Sequence, residues 1–210
     1  MSRIAKTQKT FELVGFFIGW ISVVAQFILM VQNRQAEILE TVIRFFSFFT
    51  ILTNILVALF FTSKVFVSLG NQLVIFNKKE AATAVTTFIL IVGLIYQFVL
   101  RGIWEPKGAQ FLVDELLHSI IPLYFLTYWF LFSAKQKLNF GDVFGWLLYP
   151  LIYLVFVLIR GSLSNFYPYP FLNIPEIGVV KVMVNSLFIL LFIIAILGIL
   201  IFVNNKKINI

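Results

Sequence analysis

The chain has 210 residues, 61% of them hydrophobic, with 16 basic and 9 acidic residues, a net charge of +7, one His and no Cys. That composition excludes an ordinary soluble domain, which is only about 45–50% apolar, and so short a chain has too little interior to bury the excess. The missing Cys excludes disulfides, a thiol nucleophile and Cys-ligated metal, and the lone His excludes multi-His zinc and bis-His haem. The sequence points to no cofactor and no metal.

The charges fall in short clusters between long apolar runs, the pattern of a chain that repeatedly crosses about 30 Å of hydrocarbon. Six runs stand out, at about 11–31, 45–69, 81–100, 113–132, 143–159 and 180–203. Each is long enough to span as a helix at 1.5 Å per residue. The fold class expected is all-α: one integral membrane domain over residues 1–210, a six-helix bundle in the cell membrane. The first run follows Arg3, Lys6 and Lys9 in the manner of a signal peptide, but it is too long and lacks a small-residue cleavage site, so it reads as a retained span.

Six spans put the N-terminus, the 70–80 and 133–142 loops and the C-terminus on one side. That side carries Arg3, Lys6, Lys9, Lys78, Lys79, Lys135, Lys137, Lys206 and Lys207, with Lys64 able to snorkel toward it. The other side carries Arg34, Arg44, Arg101, Lys107, Arg160 and Lys181, together with Glu37, Glu40, Glu105, Asp114, Glu115 and Glu176. The more basic side, and with it both termini, is expected in the cytoplasm. The net positive charge therefore reads as a partner for membrane lipids and not for nucleic acid, since no basic groove or soluble module is present.

The outer loops carry turn signals. Arg101-Gly-Ile-Trp-Glu-Pro-Lys-Gly108 holds a Pro and two Gly, and Tyr167-Pro-Tyr-Pro-Phe-Leu172 cannot continue a helix. Two small-residue pairs, Gly15 with Gly19 and Gly141 with Gly145, have the spacing that lets helices approach closely, and packing is the role expected of both.

Polar residues inside hydrocarbon need partners. The second run holds Ser47, Thr50, Thr53 and Asn54; the fourth opens Asp114-Glu-Leu-Leu-His118-Ser-Ile-Ile-Pro122; the sixth holds Asn185 and Ser186. Thr50 and His118 each lie about five residues into their run from the outer side, roughly 8 Å deep, so they share a level. Ser47, Thr50 and Asn54 share a helix face, and Asp114 lies one turn from His118. A hydroxyl becomes a nucleophile when an imidazole removes its proton and an acid orients the ring. Thr50, His118 and Asp114 supply those parts, and Asn54 is placed to donate to an oxyanion.

Blander roles stand beside these. A membrane Thr commonly bonds its own helix backbone, the His can bond any neighbour, Asp114 and Glu115 can be interfacial charges, and Pro122 can simply kink its helix. For Arg101 and Arg160 three roles stay open: pairing with acids, holding lipid phosphate, or binding a substrate carboxylate.

At these residues the chain resembles the bacterial proline-rich six-transmembrane proteins. The stretches that carry the likeness are Phe49-Thr-Ile-Leu-Thr-Asn54, Trp104-Glu-Pro-Lys-Gly108, Asp114-Glu-Leu-Leu-His-Ser-Ile-Ile-Pro-Leu123, Tyr149-Pro-Leu-Ile-Tyr153, Arg160-Gly161 and Tyr167-Pro-Tyr-Pro-Phe-Leu172. That family is in turn similar to the animal androgen-induced membrane proteins, threonine hydrolases that cleave fatty acid esters of hydroxy fatty acids with one Thr and one His. The resemblance implies that Thr50 matches the nucleophile and His118 the catalytic His. This chain departs from the animal pattern in having Thr53 where an acid follows the nucleophile, and one residue fewer between His118 and its Pro. The function expected is hydrolysis of a fatty-acyl or lipid ester; the alternative is a non-catalytic membrane protein that binds lipid or a small ligand. A transporter ranks last: it needs polar residues continuing through the inner half of the membrane, and beyond Lys64 and Gln97 the sequence offers few.

Overall fold

The computed structural model describes residues 3–70, 72–133 and 136–208; Lys135, counted among the basic residues above, lies outside them. The described residues form helices and no strand. The long helices are α1 (Arg3–Gln32), α2 (Ile38–Phe46), α3 (Phe49–Val65), α4 (Ala81–Leu100), α5 (Ala109–Phe132), α6 (Phe140–Ser164) and α7 (Val179–Ile208). Five are long and apolar enough to cross a membrane, or six if the bent α2–α3 pair is one span. The chain is a multi-pass integral membrane protein folded as an all-α bundle.

The surface matches the solvent for which the bundle is built. On α1, Leu13, Phe17, Ile21, Val24 and Ile28 form an exposed stripe at helical spacing. In water such a stripe would be an aggregation site; in lipid it costs nothing. Because lipid removes the hydrophobic driving force between helices, close packing has to hold them together. Gly15 and Gly19 provide it where α1 crosses α3. A Cβ on Gly15 would stand 2.5 Å from the Phe61 ring, and one on Gly19 would stand 3.1 Å from the Ala58 Cβ.

The second Gly pair does not behave this way. Nothing lies within 4 Å of a Cβ built on Gly141 or Gly145. The chain there leaves the α-helix for a 3-10 turn at Gly145–Leu147, which breaks the periodicity on which the motif depends.

Helix α4 runs through the middle, against α3, α5 and α7. Its small and β-branched residues Ala81, Ala84, Val85 and Ile89 are buried. Its hydroxyls are satisfied within the bundle: Thr86 and Thr87 donate to the carbonyls of Ala82 and Thr83 at 2.7 and 2.9 Å, and Trp129 Nε1 donates to Thr83 at 2.9 Å. Beside it, Phe60, Phe61, Phe125 and Tyr128 form an aromatic cluster with ring centroids 5.1–6.0 Å apart. Each such pair contributes about 0.5–1.5 kcal/mol beyond burial.

The run expected as one span over 45–69 is broken. Helices α2 and α3 meet at a bend of 70°. Ser47 is helical and Phe48 is extended at φ −84°, ψ 124°. The break is tertiary in origin: the Ser47 carbonyl accepts the Tyr153 hydroxyl at 3.0 Å, and the Phe48 ring packs edge-on against Tyr169. Helix α2 exposes Leu39, Ile43 and Phe46 and buries Thr41 and Phe45. Glu40 fastens it to α6 through Arg160 at 2.7 Å.

At the opposite end the 72–80 loop, the segment leading into α6 and the last turns of α7 meet. Lys79 pairs with Asp142 at 2.8 Å, and Asn205 exchanges two hydrogen bonds of 2.8 Å with the backbone of Leu138.

Candidate active site

The 70° bend turns the first turn of α3 toward the interior, with Thr50 as its second residue. A helix start has N–H groups with no intrahelical acceptor and the positive end of the helix dipole. The Thr50 N–H donates to the Tyr169 hydroxyl at 3.2 Å, and the same phenol oxygen lies 3.3 Å from Thr50 Oγ1. Tyr169 is held in turn by stacking on Phe171, with centroids 5.1 Å apart and planes 5° from parallel.

Facing Thr50 is His118, whose Nε2 lies 3.3 Å from Thr50 Oγ1. The ring's other nitrogen, Nδ1, is 2.9 Å from the backbone carbonyl of Asp114 and 3.4 Å from its carboxylate Oδ1. A carbonyl only accepts, so Nδ1 donates to it, and a neutral ring then presents the Nε2 lone pair to the hydroxyl. Catalytic hydrogen bonds in the ligand-free state are often this long. Asp114 is buried, and among the described residues its Oδ2 has no hydrogen-bond partner of ordinary geometry.

The geometry of His118 comes from a π turn. Leu116–Ile120 winds with i→i+5 bonding, so that the Ile121 N–H reaches Leu116 O. Leu117 O thereby loses the donor it would have in an α-helix, and residue 122 is Pro and offers none. Asn54 fills the vacancy. Its Nδ2 donates to Leu117 O at 3.3 Å and to Thr50 O at 2.9 Å. Both amide protons are then committed, so Asn54 does not supply the oxyanion donor expected of it; it ties α3 to the π turn.

A second π turn, Tyr96–Leu100, ends α4 beside the first. Tyr96 lies flat on the His118 ring, with centroids 4.1 Å apart and planes 17° from parallel. On the far side the two turns are linked by Gln97 donating to Ser119 Oγ at 2.8 Å and Ser119 donating to Glu115 at 2.7 Å. Glu115 also pairs with Arg101.

Glu115 thus holds Arg101, whose guanidinium lies 5.5 Å over the Tyr96 ring. Arg160 is buried against Glu40 and Ser164, with its guanidinium over the Phe166 ring. Of the sequence-derived residues, the structure brings together Thr50, His118, Asp114 and Asn54, and leaves Arg101 and Arg160 outside the group. The arginines that line the cavity around Thr50 are Arg34 and Arg44.

Two cavities meet at Thr50 and Tyr169, which line both. One, of about 520 Å³, is bounded by Asp114 and His118 and by polar residues such as Gln26, Asn33 and Gln110. The other, of about 260 Å³, lies between α4, α6 and α7 and is almost wholly apolar.

Sequence reasoning missed Tyr169 and Tyr96 as members of the group. Tyr169 was visible as part of a Pro-rich aromatic loop and of the family resemblance, but with no role, 119 positions from Thr50. Tyr96 carried no signal, because an aromatic near a span end is ordinary in a membrane protein.

No family model matches the chain, and no curated protein or solved structure matches it either.

Proposed function

We propose that this protein is an intramembrane threonine hydrolase of fatty-acyl esters, with Thr50 as nucleophile and His118 as general base. The observation that carries the reading is the Thr50 Oγ1–His118 Nε2 approach of 3.3 Å, with the opposite ring nitrogen committed to Asp114. The resemblance to the proline-rich six-transmembrane proteins and to the animal threonine hydrolases supports the same pair.

In the step proposed, Thr50 Oγ bonds to the ester carbonyl carbon as its proton passes to His118 Nε2. The carbonyl π pair moves onto oxygen, where the Tyr169 O–H and the positive end of α3 stabilise it. Collapse restores the carbonyl and expels the alcohol oxygen, which takes the proton from Nε2. Water, deprotonated by His118, then attacks the acyl-threonine. The carboxylic acid leaves and Thr50 regains its proton. Asp114 orients the ring and stabilises the imidazolium.

The lysine and arginine asymmetry supports cytoplasmic termini, which sets Thr50 near the outer face of the cell membrane. The test is hydrolysis of acyl esters by purified protein in detergent or nanodiscs. Thr50→Ala and His118→Ala are each expected to lower turnover by about 10²–10⁴-fold. Full activity in both overturns the reading.

A further inference from the structure

We infer that the apolar cavity between α6 and α7 is the acyl-chain site, and that its deep end sets the longest chain accepted. The inference rests on the hydrolase reading and deepens it.

The lining of this cavity includes Thr50 and Tyr169, so a chain lying in it has one end at the hydroxyl. From there it runs inward along antiparallel walls, from Leu100 to Ile91 on α4 and from Met183 to Ile193 on α7. Ten residues of α7 correspond to a depth of roughly 15 Å. Apart from Thr50, Tyr153, Tyr169 and Ser186, every lining residue is a hydrocarbon, Met or Phe side chain. Ser186 directs its hydroxyl to Val182 O at 2.8 Å and Tyr153 to Ser47 O at 3.0 Å, so neither polar group asks anything of an occupant. A long apolar chain with a reactive group at one end fits those walls.

The cavity is also open sideways. Leu151 on α6 and Met183 and Leu187 on α7 line it while remaining 40%, 57% and 56% exposed. In a membrane that exposure is to lipid tails, so a chain can slide in from the bilayer without leaving hydrocarbon. The other cavity at Thr50, with Arg34, Arg44 and Gln26, is left for the alcohol half of the ester.

The test uses a graded series of p-nitrophenyl esters, from butyrate to palmitate, with wild type, Leu190→Trp and Leu151→Trp. The two substitutions fill the deep end from opposite walls. Each is expected to lower the palmitate-to-butyrate ratio of kcat/KM by at least about tenfold. An unchanged ratio in both, with hydrolysis still dependent on Thr50, overturns the acyl-site inference and leaves the hydrolase reading standing. If Thr50→Ala hydrolyses like wild type, the hydrolase reading fails, and the cavity is judged by photolabelling with a diazirine-bearing palmitate. Adducts on the 183–193 stretch that are lost in Leu190→Trp support a chain site; labelling unaffected by either Trp, as for lipid that merely surrounds the helices, overturns it.

Discussion

Tyr96 and His118 lie ring on ring, with centroids 4.1 Å apart, and each belongs to a π turn of its own helix. A π turn adds a residue to the turn and rotates the helix beyond it. Here two such turns lie side by side, where Gly93 lets α4 and α5 come close: a Cβ on Gly93 would stand 3.0 Å from His118 O. The stack fixes the imidazole plane and the Asp114 carbonyl fixes its proton. The free nitrogen is left facing Thr50.

The π turn around His118 depends on Asn54. Replacing it with Leu removes the donor to Leu117 O and leaves that carbonyl buried and unpaired. We predict a loss of about 1–3 kcal/mol, read as a lower Tm in detergent, and a drop in turnover at temperatures where the variant is still folded. An unchanged Tm would mean that Leu117 O finds another donor.

Tyr169→Phe keeps the stack on Phe171 and the packing against Phe48 but removes the phenol oxygen 3.2 Å from the Thr50 N–H. As the proposed oxyanion donor, its loss is predicted to lower kcat by about 10²–10³ with KM little changed. Steady-state kinetics on an acyl ester measure both. An equal rise in KM at constant kcat would assign Tyr169 to binding alone.

The two Gly pairs give a contrast in stability. Gly15→Ala drives a methyl into the Phe61 ring and is predicted to destabilise by about 1–3 kcal/mol. Gly145→Ala meets open space and is expected to be neutral or slightly stabilising, because Ala loses less chain entropy than Gly on folding. Thermal unfolding of the two variants side by side reads the difference.

The positions of the long helices were legible in the sequence because spanning hydrocarbon demands long apolar runs, whatever the packing. The pairing of Thr50 with His118 was reached by counting about five residues into each run, but the helices do not start there: Thr50 is the second residue of α3, beyond the bend, and His118 lies nine residues after Ala109 at the start of α5. The α2–α3 bend could not be read: Ser47-Phe48 contains neither Pro nor Gly, and the bend is held by Tyr153 and Tyr169 from distant segments. The placements of Arg101 and Arg160 escaped for the same reason, since either could serve several acids and only the folded bundle brings Glu115 and Glu40 to them. Gly141 and Gly145 misled because a motif defined by α-helical spacing runs there into a 3-10 turn.

The proposed chemistry turns on the Thr50 hydroxyl being a nucleophile activated by His118. A fluorophosphonate probe followed by peptide mass spectrometry reads the reacting atom itself. One adduct is expected, on the peptide carrying Thr50, abolished in Thr50→Ala and strongly slowed in His118→Ala. Labelling that persists in Thr50→Ala at the wild-type rate, or no labelling of a wild-type protein that hydrolyses esters, would contradict it.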